Sequence, residues 1–317
     1  MTKLLNPKLF TQHFGIPQTD IEKADLLDPF LNADTKLFID PMLLRHSGNK
    51  LISGKGLPAF RKRMTDIVNL LLASPANTGP AWKAAMGLLD LHERRETCLG
   101  YGGAGTSGSS RPDSLKTQIL LTARQIINLG VTNREIIGLM GIFEEGVGPD
   151  TISDLTTNAI LPVLQELTLD FCKTYSIPTR SFVIGLKNVE LPVNPLVKDV
   201  GFLLTPKDIL RELPVATDWS DIDRVVQHNA MLRQLVNRMV ANIAKATITQ
   251  KKRAVKAVAL SSAKNFQALF NDLLTGNFQG YDFARDRKSF EALRQLLTST
   301  PTRFPLTIAK PVAANAG

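Results

Sequence analysis

The residues with the most chemical potential are acidic. Asp40 closes the short apolar run Lys36–Asp40, and Asp150 and Asp154 lie four apart in a stretch with helical spacing. Positions four apart share one helix face, and Asn158 continues the stripe. Three carboxylates from a strand end and a helix can hold Mg²⁺, with Asp150 and Asp154 as the core ligands. Glu144 and Glu145 precede the turn before this helix and can join them. The competing reading is that these acids cap a helix and face solvent. As catalytic candidates, Asp40, Asp150 and Asp154 would serve a Mg²⁺-dependent nuclease or another phosphate-handling enzyme. The four histidines form no HExxH or HxH pair, and no GxSxG is present, so zinc and serine chemistry find no support.

A second candidate is the run Leu99–Ser110, with glycines at Gly100, Gly102, Gly103, Gly105 and Gly108, followed by a helix. Backbone N–H groups in such a turn, together with a helix N-terminus, can cradle a phosphate. The spacing lacks the closing Gly-Lys-Ser/Thr of a P-loop. Glu93-Arg94-Arg95-Glu96 before it is no buried parallel strand, so the dinucleotide fingerprint is not met. A loop that binds nothing is the other reading.

The third candidate is basic. Arg224, Arg233, Arg238, Lys245, Lys251, Lys252, Arg253, Lys256 and Lys264 fall in one interval without any Asp or Glu. These nine charges equal the whole formal net charge of +9. Such a surface suits phosphate backbones, an acidic protein partner, or simple solvation. The interval holds no aromatic residue, so base stacking is not favoured.

The elements that must position these residues read as mainly α: a multi-helical, globular α+β fold with a few short strands. Helices are expected over 57–75, 79–92, 113–129, 132–143 and from Asp150 to Pro178. The last carries apolar residues at Ile152, Leu155, Ala159, Val163, Leu167 and Phe171. Asp150 is expected to cap it. Strands are expected at Leu37–Ile39, Ser181–Leu186 and Val200–Leu204, the last two separated by a proline-broken segment. A further helix over 221–247 would bury Val225, Leu232, Leu235, Val236, Met239 and Ile243. Two regions are expected: residues 1–200, α+β with the Gly-rich loop and the acids, and residues 201–317, basic and helical.

With 44% apolar and 21% charged residues the chain suits a globular core, and no apolar run reaches membrane-span length. The N-terminus reads as mature sequence, and Cys98 and Cys172 as buried free thiols of a cytoplasmic protein.

Leu37-Phe38-Ile39-Asp40-Pro41, Leu99-Gly100-Tyr101, Gly148–Asp154, Leu203–Leu210 and Tyr281-Asp282-Phe283, in this order, resemble an uncharacterised bacterial family found among anti-phage defence and restriction-type proteins. The resemblance implies a helical region followed by a PD-(D/E)XK nuclease-like domain. Nothing after Phe283 supplies that domain's Asp and Glu-x-Lys. Pro149-Asp150 matches only its first half, and Gly185-Leu186-Lys187 lacks the acid. The implied function is a binding or regulatory subunit of an anti-phage defence system. It would engage nucleic acid or a partner effector, with any nuclease on a separate chain.

Overall fold

A computed structural model describes residues 8–74, 76–100, 112–131, 133–184, 187–228, 233, 234, 236, 239, 246–276 and 278–284. Its helices are α1 (Phe10–Phe14), α2 (Gln18–Lys23), α3 (Leu57–Leu72), α4 (Gly79–Leu88), α5 (Asp113–Asn128), α6 (Met140–Phe143), α7 (Pro149–Thr174), α8 (Trp219–His228), α9 (Ile248–Leu260) and α10 (Ala263–Thr275). The strands are β1 (Phe38–Ile39), β2 (Thr179–Ile184), β3 (Lys187–Pro192) and β4 (Leu210–Arg211). They form two antiparallel pairs, β1 with β4 and β2 with β3. The mainly helical α+β expectation holds.

The long helix α7 is the centre of the molecule. Every residue from Thr151 to Ile160 is buried, the polar ones included. Thr156, Thr157 and Thr168 make this tolerable by donating to the carbonyls of Ile152, Ser153 and Leu164 one turn back, at 2.7, 2.8 and 2.6 Å. Ser153 Oγ accepts the N–H of Ile39, which ties β1 to the helix. Gly148, not Asp150, occupies the N-cap position; Asp150 lies in the first turn, where its charge still favours the helix dipole.

Two expectations about strands are corrected. The proline-broken segment after Leu186 is β3 itself, with Pro192 as its last residue, where a missing N–H costs the ladder little. Val200–Leu204 is no strand; Gly201 makes one bridge to Val193. A Cβ at Gly201 would lie 2.7 Å from Leu191 Cβ, so only glycine permits this close approach.

The chain does not divide at residue 200. β1 pairs with β4, Leu203 N–H donates to Glu96 O at 2.6 Å, and Leu27 N–H donates to Thr205 O at 2.9 Å. One hydrophobic core runs from Leu27 through Ile160, Leu210, Val255 and Phe270 to Phe278. Residues 1–200 and 201–317 are therefore parts of one packed body, because the burial that stabilises each comes from the other. No helix among the described residues is long and apolar enough to cross a membrane. Cys98 and Cys172 are free and buried, and burial pushes both thiols up to about 12.

Candidate functional site

Asp40 is fully buried where β1 ends. Its Oδ1 accepts Met42 N–H at 2.8 Å and its Oδ2 accepts Val215 N–H at 2.9 Å. Arg211 Nε lies 3.8 Å from Oδ2, while Arg211 Nη2 pairs with Asp218 at 3.1 Å and Asp221 at 2.6 Å. Burial pushes the Asp40 carboxyl up to about 6, opposed by the two N–H groups and Arg211. Both oxygens are thus committed to the turn that follows β4.

Asp154 and Asn158 hold a different segment. Asn158 Nδ2 donates to the carbonyls of Asp90 at 3.2 Å and His92 at 3.0 Å. Its Oδ1 accepts a short hydrogen bond from Arg94 Nε, and Asp154 Oδ1 accepts Arg94 N–H at 3.4 Å. Arg94 also pairs with Asp90 at 2.9 Å. The stripe expected to face solvent or a metal is buried and fastens residues 90–94 onto α7. The three candidate acids do not converge: among the described residues, no group of three or more His, Cys, Asp or Glu is arranged to hold a metal ion.

The start of the Gly-rich run is acidic. Gly100 has φ +129°, and a Cβ there would lie 3.3 Å from Asp150 Oδ1. Asp34, close enough to feel both Asp150 and Glu93, has its carboxyl pushed up to about 6, by burial first and then by Glu93, against Arg95. A phosphate at Gly100 would therefore meet carboxylates, which corrects the anion-site expectation there. Gly102, Gly103 and Gly105 lie outside the described residues.

This acidic corner has a measurable consequence. Asp34 binds protons more readily folded than unfolded between about pH 4 and 6. Its contribution to stability is present below about pH 4 and is lost as pH rises through about 6. Asp34→Asn is expected to raise the melting temperature at pH 7.5 by about 2–4 °C. No such gain is expected at pH 4. An equal gain at both values, followed by circular dichroism, would remove the electrostatic account.

The basic stretch meets its counter-charges across the fold. α9 begins with a capping box, in which Thr247 Oγ1 accepts Gln250 N–H and Gln250 Oε1 accepts Thr247 N–H. The helix packs against α6. Lys252 is buried there, and its Nζ donates to Glu144 O at 2.7 Å and Val147 O at 3.0 Å. Burial lowers its pKa, while Glu144 and Glu145 oppose that shift. Lys256 Nζ pairs with Glu144 Oε1 at 2.6 Å, and Thr122 Oγ1 donates to the same oxygen. Arg253 Nε pairs with Glu145 Oε1 at 2.7 Å, with both groups near the surface. Lys251 Nζ stands 5.7 Å from the Trp219 ring centroid.

The expectation that Lys252 faces nucleic acid is thereby corrected: its ammonium serves the carbonyls after α6, where a cation complements a helix C-terminus. Lys256 is half-buried and engaged with Glu144. Arg233, Arg253 and Lys264 are exposed. Arg224 lies on α8 with its side chain outside the described residues, as are Arg238 and Lys245 altogether. Of the apolar face expected over 221–247, Val236 is buried but Met239 is exposed. Sequence reasoning missed Arg94, Arg211 and the docking role of Glu144. Only the neighbouring Glu144-Glu145 pair offered a local signal.

A family model described as a domain of unknown function, DUF8370, matches residues 15–218, more than half of the chain. The protein belongs to the DUF8370 family. No curated protein and no solved structure matches it. The matched residues include Asp40, Gly100, Glu144, Asp150, Asp154 and Arg211 and stop before the entire acid-free stretch. In this DUF8370 protein, then, α9 is a neighbour that docks on the family region through Lys252, Arg253 and Lys256.

Proposed function

We propose that the protein is a binding and regulatory subunit of a bacterial anti-phage defence system, engaging nucleic acid through the outward cations of its C-terminal helices. The observation behind a binding role is the use the fold makes of the side chains eligible for catalysis. Asp40 holds a buried turn, and Asp154 with Asn158 fastens a loop. The support for nucleic acid is that Arg233, Arg253 and Lys264 are exposed within an interval without acids. The defence setting rests on the sequence resemblance, and a separate chain would supply any cleavage.

Binding of labelled duplex and single-stranded oligonucleotides, followed by anisotropy, tests this. With three phosphate contacts, affinity should fall about 40-fold between 50 and 200 mM salt. The triple variant Arg233→Ala, Arg253→Ala, Lys264→Ala should flatten that dependence. Salt-independent binding, or none, would leave an acidic protein as the partner. Mg²⁺-dependent cleavage that vanishes in Asp150→Ala, with the fold intact, would instead establish the nuclease alternative.

A further inference from the structure

Arg124, on α5, is held at two points and unused at a third. Its Nη1 donates a short hydrogen bond to Asn77 Oδ1, in the connection between α3 and α4. Its Cζ stands 5.1 Å from the centroid of Trp82, a buried residue of α4. Nε and Nη2 are buried without a hydrogen-bond partner. A guanidinium cannot shed its charge to relieve such a position. Stacking and the Asn77 bond fix its plane, and the edge left over is the pair of parallel N–H groups that grips an oxyanion in bidentate fashion.

The surroundings reinforce the charge. Arg134 is held in the same manner, its Nη1 donating to Asn69 Oδ1 at the last turn of α3. Among the described residues neither guanidinium meets a carboxylate; each is met by a neutral amide. Lys83, next to Trp82, is exposed. Arg124 and Arg134 thus bracket the α3–α4 connection with two positive charges and no local counter-charge. A dianion matches this better than a single carboxylate.

We propose that the Nε/Nη2 edge of Arg124 is a phosphate-binding site, seated against the α3–α4 connection and backed by Arg134 and Lys83. It is distinct from the Gly-rich run and from the C-terminal helices. Because both nitrogens are shielded, the phosphate enters as the exposed residues Ala76–Thr78 move aside.

Isothermal titration of the full chain with inorganic phosphate, beside acetate and chloride at matched ionic strength, tests the site. Phosphate alone should bind. Arg124→Lys keeps the charge without the fork and should weaken binding by about tenfold or more. Arg124→Met should abolish it while melting no lower than the native chain without phosphate, because a buried unpaired edge is removed. A 5′-phosphorylated oligonucleotide that binds better than its 5′-hydroxyl counterpart would assign the phosphate to a nucleic-acid end. Equal binding of the two, with inorganic phosphate retained, would assign it to a small phosphate ester. The proposal is overturned if the native chain ignores phosphate, if Arg124→Lys or Arg124→Met still responds, or if Arg124→Met melts far lower, which would make the guanidinium a structural member.

Discussion

Lys252→Met is expected to destabilise the protein by about 3 kcal/mol, because a charged donor leaves two buried carbonyls behind. Methionine fills similar space, so the loss isolates the ammonium, whose bonds to Glu144 O and Val147 O are 2.7 and 3.0 Å. The melting temperature should drop by about 6–12 °C in thermal denaturation. Arg253→Met is the control. Its pair with Glu145 is largely exposed, so the expected change is below about 1 kcal/mol and shrinks further with salt. If the two variants melt alike, the buried ammonium has no special role in docking α9. A double-mutant cycle between Lys256→Met and Glu144→Gln should show a coupling of about 1–3 kcal/mol, since Glu144 is buried.

The difference between these neighbouring lysines and arginine explains what the sequence made legible. The helices α3, α5 and α7 could be placed because their signals are local: apolar steps of three and four, and the Asn133 side chain that accepts Glu135 N–H. The residues that matter were also found, since Asp40, Asp154 and Lys252 were singled out by type and setting. Their roles were not legible. Lys252 acts on carbonyls more than 100 positions earlier, and Asp40 on an N–H 175 positions later. An acid-free interval in the chain is not an acid-free surface in the fold. Similarly, the all-round burial of α7 was hidden because its threonines satisfy themselves on the preceding turn. β3 was hidden by a proline that stands at the strand's final position.

Asp40→Ala should have the other large effect, about 3–5 kcal/mol of lost stability, because it strips acceptors from two buried N–H groups and a carboxylate from beside Arg211. The neighbourhood has little room to adjust. A Cβ at Gly141 would lie 2.7 Å from Ala216 O, so the turn that Asp40 holds is already pressed onto α6. Asp40→Asn retains one acceptor oxygen and should cost less. It should also remove a pH dependence. Native Asp40, pushed up to about 6, gives up stability as pH rises from about 4 through 6, whereas asparagine does not titrate. Denaturation of the native chain and both variants at pH 5 and 7.5 checks each part. Native-like stability of Asp40→Ala would mean that the turn after β4 does not need its carboxylate. The same curves test the shared core: β1 pairs with β4 across residue 200, so one cooperative transition should shift as a whole. If Asp40→Ala instead split the melt into two steps, the regions before and after residue 200 would be independent after all, and Asp40 would be the fastening between them.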